Sequence, residues 1–199
     1  MSSPQQWAPP PVLDGAALLE RAVGYTRASL QLVASTPPDA PTPCARWDLL
    51  ALLRHMDDSL AAFTDAADIG YVDLAPVRGE ADVAGLVGGL KARACALLAA
   101  WAHHPGSGDV SVSDRELRSD LLAAAGSLEI AVHGWDVAQA CGVDHPLPAA
   151  LALELLDVVP LFVGDEDRPG RFAEPVDVPI HSRPSTRLLA ALGRRADRT

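Results

Sequence analysis

Glu129 and His133 stand four residues apart in SLEIAVHGWDVAQACG, residues 127–142. In a helix that spacing puts both side chains on one face, with Cβ atoms about 5–6 Å apart, so a carboxylate and an imidazole can reach one ion together. His55, in the run DLLALLRHM of residues 48–56, supplies a third donor from a facing helix, as metal sites in helical bundles are built. Two neutral imidazoles and one carboxylate are a common ligand set for a divalent transition metal, and they leave coordination positions for water or substrate. The plainest alternative is a surface Glu–His pair worth a few tenths of a kcal/mol. Against it, Glu129 is flanked by Leu128, Ile130, Ala131 and Val132, and a carboxylate on an apolar helix face calls for a compensating cation.

Other polar residues are candidates for supporting roles. Asp136, three residues after His133, can orient that imidazole or activate a water, because metal-bound histidines usually donate their second N–H to a carboxylate or carbonyl; helix packing against an arginine is the alternative. Asp58 bears the same relation to His55. Trp47 and Trp135 read as packing anchors beside the site. His103, His104 and His145 fall in Pro- and Gly-containing loops, where solvent exposure is the default, whereas His181 lies in a C-terminal segment able to fold over an open metal position. Cys44 reads as a small packing residue. No Ser-His-Asp order, glycine-rich phosphate loop or CxxC motif accompanies them.

Helices must position these groups. Apolar periodicity predicts a first helix from Asp14, a plausible N-cap, through Val33, ended by the Pro-rich STPPDAPTPCAR of residues 35–46. A second runs from Asp48 to about Ala67, followed by the connector DIGYVDLAPVRGE, which has room for a short strand-like piece. The third spans about Ala81 to Trp101 and is weakened by Gly85, Gly88 and Gly89. After the short stretch VSVS, the fourth runs from about Ser119 to Cys141 with Gly142 in a C-cap position, and the fifth from Pro148 to Val163. The remainder carries an extended alternation, Val176 to Ile180, and a short amphipathic helix around Thr186 to Leu192. The chain therefore divides into a flexible lead-in over residues 1–12, a helical bundle over 13–164 and a tail over 165–199 packed on the bundle.

Composition narrows the partners. The 199 residues include 49% hydrophobic and 21% charged side chains, the profile of one globular domain large enough to fold without disulfides or metal. Sixteen basic against twenty-six acidic residues give a formal charge of −10, which repels phosphate backbones and anionic lipid, so neither nucleic acid nor a membrane surface is expected as partner. The odd, scattered Cys44, Cys95 and Cys141 fit neither a disulfide framework nor a cysteine zinc site. MSSPQQWAPPP lacks the basic and apolar regions of an export signal, and no uninterrupted apolar run approaches the roughly 20 residues of a membrane span. A cytoplasmic location follows as the expectation. Basic residues that are arginine except for Lys91, with abundant alanine, suggest a GC-rich bacterial genome.

Three segments carry a family resemblance. TPCARWDLLALLRHM (Thr42 to Met56) resembles the entry to the metal-binding helix of the DinB-like, mycothiol-dependent maleylpyruvate isomerase superfamily, in which a Pro-Cys-x-x-Trp element precedes a histidine. EIAVHGWDVAQACG (Glu129 to Gly142) is similar to that family's Glu-x-x-x-His-x-Trp-Asp signature, and RFAEPVDVPIHSRPSTRLLAALGR (Arg171 to Arg194) resembles the C-terminal stretch of an actinobacterial metal-binding branch. The resemblance covers most of the chain. It implies an all-α fold, an up-down-down-up four-helix bundle with an extra C-terminal helix and a short extended tail, and metal ligands at His55, Glu129 and His133. It also implies a bound divalent metal, zinc first and nickel or iron as alternatives, with mycothiol or another low-molecular-weight thiol as co-substrate. The function expected is thiol-dependent transfer or isomerisation on a small electrophile. Hydrolysis by metal-activated water, with Asp136 as the candidate base, and a non-catalytic metal- or ligand-binding role, with or without homodimerisation, are the alternatives.

Overall fold

The computed structural model describes residues 14–69, 71–72, 82–103, 109–112 and 115–196; the lead-in of residues 1–12 and His104 lie outside them. The architecture is an all-α helical bundle. Its helices are α1 (Gly15–Ser29), α2 (Leu49–Ile69), α3 (Val83–His103), α4 (Ser119–Ala140), α5 (Ala149–Phe162) and α6 (Pro184–Ala191). The first predicted helix is shorter than its apolar pattern: α1 stops at Ser29, and Leu32–Ser35 form a 3-10 turn ahead of the prolines. Asp14 caps α1 by accepting from Ala17 N at 3.0 Å, and Asp48 caps α2 by accepting from Ala51 N at 2.8 Å.

Three short strands interrupt the helical pattern. β1 (Tyr71–Val72) pairs in parallel with β2 (Asp109–Val112), which pairs antiparallel with β3 (Arg115–Arg118). The strand-like connector and the VSVS stretch thus join one small sheet, although only a few residues of each pair. The alternation at Val176–Ile180 enters no sheet; Val176 N instead donates to Ala190 O at 2.9 Å, fastening the extended tail to α6.

Helix α1 packs on α4 and α3, and α2 packs on α3 and α4, while α5 lies on α4 and carries α6. α4 is buried on most sides from Leu122 to Ala138, which is why apolar residues recur around it rather than in one stripe. Its closest neighbour is α1. Thr26 Oγ1 donates to Ile130 O at 2.8 Å, and a Cβ built on Gly134 would lie 2.4 Å from Thr26 Oγ1 and 3.1 Å from Thr26 Cα. The lack of a Cβ at Gly134 lets the two backbones approach this closely. Among the described residues, Val83–Ala102 of α3 has the length and mean hydropathy of a membrane-crossing helix, with 28% of it buried. Lys91 and Arg93 interrupt that stretch, and Arg93 Nε donates to Asp57 of α2 at 2.7 Å.

The end of α6 decides where the tail points. Gly193 adopts φ +76°, its N–H bonds to Ala190 O at 3.0 Å, and Arg194 N bonds to Leu189 O at 2.8 Å. This pair of bonds is the Schellman stop, in which a glycine in the left-handed region satisfies the last carbonyls and turns the chain away. Leu188, Leu189 and Leu192 are buried, so the turn is seated in the core and Arg194 is directed inward.

The packing at Gly134 is testable. Gly134→Ala should destabilise the fold by about 1–3 kcal/mol through overpacking against Thr26. Gly88→Ala, where an added Cβ meets nothing within 4 Å, should stabilise it by about 0.5–1 kcal/mol by favouring the helical backbone. Urea midpoints of the two variants measure both.

Candidate metal centre

His55 from α2 and Glu129 and His133 from α4 converge. His55 Nε2 lies 2.5 Å from Glu129 Oε1, and His133 Nε2 lies 3.3 Å from the same oxygen. One donor atom from each residue falls within 4.8 Å of the other two. Ser59, one turn beyond His55, donates to the same Oε1 at 3.3 Å. Donor atoms around a tetrahedral ion with bonds of 2.0–2.1 Å sit roughly 3.3 Å apart. The Glu129–His133 pair already has that spacing, and the His55–Glu129 pair needs to open by less than about 1 Å. His55 and Glu129 are 33% and 30% exposed at their side chains, His133 only 8%, so the cluster is open on one side. These three residues could hold a metal ion.

Beneath His133 lies a second set of contacts. His133 Nδ1 donates to Asp136 Oδ2 at 2.9 Å, which leaves Nε2 turned toward Glu129. Asp136 has no exposed side-chain surface. Arg194 meets it, with Nη2 at 2.7 Å from Oδ2 and Nε at 2.9 Å from Oδ1. The Cys44 thiol donates to Asp136 Oδ2 at 3.3 Å and accepts from Arg194 Nη2 at 3.4 Å. The sequence reading missed Arg194, and it gave Cys44 packing alone; the Pro-Cys-x-x-Trp element was the signal for the latter. A Cys44–His133–Asp136 cluster also has metal-ligand spacing, but the guanidinium already supplies its cation.

The electrostatics follow from this geometry. Burial alone would raise Asp136, yet Arg194 and His133 lower its pKa to about 2. Burial opposes ionisation of Glu129 too, but the imidazoles of His133 and His55 hold it well below the usual carboxylate range. Burial disfavours a charged His133, and Glu129, Asp136 and Cys44 overcome it, holding that imidazole well above its ordinary value. Glu129 is thus held toward its charged form, as is the His133 imidazole beside it.

The loop ahead of α2 shapes the rim. The Thr42 hydroxyl donates to Trp47 O at 2.8 Å and accepts from Cys44 N at 3.1 Å, and Trp47 N bonds to Cys44 O at 2.8 Å. This tight turn lays the Trp47 ring 4.3 Å from His55 and 5.8 Å from His133, between centroids, so Trp47 braces the two imidazoles. Above the donors opens a cavity of about 390 Å³ walled by α2, α4, the end of α5 and the tail.

The remaining candidates fall elsewhere. Asp136 orients His133; with both oxygens engaged and no access to the cavity, it is a poor base for a water. Asp58 is half-buried and belongs to neither donor cluster. His145 stacks on Tyr25 with centroids 4.7 Å apart, and its carbonyl accepts from the Tyr25 hydroxyl at 2.6 Å. His181 is exposed and lines no part of the cavity; other tail residues do.

Two proteins of Mycobacterium tuberculosis, "Uncharacterized protein MT0763" and "Uncharacterized protein Rv0738", are each 28% identical to this chain over 178 residues, covering 88% of it and 94% of the relative. No protein-family model matches the chain. No solved structure matches it either.

Replacing Arg194 by methionine leaves a fully buried carboxylate without its cation, and should cost about 3–5 kcal/mol by urea denaturation. Because Asp136 is depressed in the folded state, the stability it contributes is complete above its unfolded pKa of about 4 and is lost as pH falls through about 2. Arg194→Met should therefore flatten the stability profile across that acid window.

Proposed function

We propose that this protein is a metalloenzyme in which His55, Glu129 and His133 hold a divalent transition ion, zinc first, and which transfers or isomerises a small electrophile with the help of a low-molecular-weight thiol. The observation carrying the metal reading is the convergence of three donor atoms from two helices on one point, open to a cavity on one side and fixed on the other by the His133–Asp136–Arg194 chain. Three protein ligands with an accessible face suit a catalytic rather than a closed structural site. Nickel and iron fit the same donor set. The thiol reading rests on the sequence resemblance and on this open face.

A dication held there would favour the thiolate of a bound thiol and keep its sulfur at the cavity floor. The chain's own side chains do the rest. Asp136 fixes the His133 tautomer, Trp47 braces the His55 ring, Ser59 donates to Glu129, and the apolar cavity wall limits water around a reacting carbon. Hydrolysis is the weaker reading because Asp136, its candidate base, is spent on His133 and Arg194.

Elemental mass spectrometry of protein purified without added chelator should find about one equivalent of transition metal. Glu129→Ala should lower retention of that ion at least tenfold with little loss of helical circular dichroism, because the core is large enough to persist without the ion. Retention should also fall as pH is lowered, since imidazole must lose its proton to bind. Full occupancy in the variant removes Glu129 from the ligand set. Adding a thiol to cobalt-substituted protein should produce thiolate charge-transfer absorption; no such band would leave metal binding standing without thiol chemistry.

A further inference from the structure

The wall of the cavity differs from its floor. Phe63 of α2, Phe162 at the end of α5, and Phe172 and Leu192 of the C-terminal segment line it together with apolar residues of α4. The donor atoms of His55, Glu129 and His133 form its polar end. Two arginines also line it, Arg171 and Arg194, and they are not equivalent. Arg194 is committed to Asp136 and Cys44. Arg171 is 73% exposed at its side chain, and its Nη1 makes one contact, 3.1 Å to Asp167 Oδ1. Its guanidinium carbon lies 5.9 Å from the centroid of the Phe172 ring. An exposed pair of this kind contributes little, and a planar guanidinium engaged through one nitrogen keeps its other donors for a second carboxylate.

The exposed guanidinium of Arg171, rather than the charge of the whole chain, is what suits the cavity to an anion. The chain carries a formal charge of −10, so its overall field repels anions, and an anionic ligand reaching this cavity needs a local cation. An apolar wall with a few convergent polar groups is the usual form of a small-molecule site. We infer that the cavity takes a small carboxylic acid with an aryl or alkyl body, the body lying among Phe63, Phe162 and Phe172 and the carboxylate on Arg171. Arg171 is the residue that selects for the acid. The inference names the substrate class of the proposed metal centre and rests on that reading for its catalytic meaning, but not for binding itself.

Titration calorimetry of metal-free and zinc-loaded protein with 3-phenylpropanoate, its neutral amide and acetate separates the outcomes. The acid should bind about tenfold more tightly than the amide in both forms, and more tightly than acetate. Arg171→Gln should abolish the preference for acid over amide while leaving zinc content and the urea midpoint unchanged. Equal binding of acid and amide, acetate binding as well as the aryl acid, or a preference surviving Arg171→Gln would overturn the inference. A preference confined to the zinc-loaded form would also overturn it, placing the carboxylate on the ion. Conversely, loss of zinc binding with the metal-free preference intact would sink the metal centre and leave the acid site standing.

Discussion

A carboxylate with no exposed surface cannot stand alone in a helical core, and Asp136 is such a group. Ionised and unpaired, it would carry a desolvation cost of several kcal/mol. The structure answers with Arg194 on both oxygens and the His133 imidazole on one. Everything at the site is arranged around that pairing. Because Asp136 is held ionised, it accepts from the Nδ1–H of His133; because Nδ1 is engaged, Nε2 is left for the cavity side, beside Glu129 and His55.

The dependence reaches the far end of the chain. Arg194 follows Gly193, whose left-handed backbone turns the chain at the end of α6, and α6 is held by the burial of Leu188, Leu189 and Leu192. The tail is thus more than a cover. It delivers the cation that makes a buried carboxylate tenable in α4, while Phe172 and Leu192 complete the cavity wall. Arg168 ties the same segment together, its Nη2 donating to Ala191 O at 2.7 Å.

What was legible in the sequence followed the range of the interactions involved. Helices α2, α4 and α5 are bounded by local signals, the Asp48 cap, Gly142 and Pro148, and their bounds differ little from the expectation. Glu129 and His133 share a helix face by spacing alone, His55 was a candidate donor on a facing helix, and the resemblance implied the same three. Arg194 had no comparable signal: it meets Asp136 across 58 residues of chain, and one arginine in a tail containing several looks like its neighbours. Of the small sheet a strand-like piece was legible in the connector before α3, but not the pairing that joins it to the strands before α4. Two- and four-residue strands are too short for alternation to register, and their pairing depends on helices bringing the connectors together. Even the resemblance could not show that Asp136 is closed off from the cavity, since the letters are identical whether a carboxylate orients an imidazole or activates water.

The form of the Glu129 contacts bears on what the site is for. His55, His133 and Ser59 all approach one oxygen, Oε1. On Asp136 the donors reach both oxygens, Arg194 Nε on Oδ1 and Arg194 Nη2, His133 and the Cys44 thiol on Oδ2. Convergence on one oxygen instead leaves two imidazole nitrogens and a carboxylate crowded around a common point, on the face that opens to the cavity. Such crowding is what a small cation requires, because its attraction to each donor is realised only when all of them reach the same place. Asp136 and Glu129 thus differ in setting, the first sealed in the core against Arg194, the second half-buried on the cavity side, and Glu129 rather than Asp136 stands where a cation could be held.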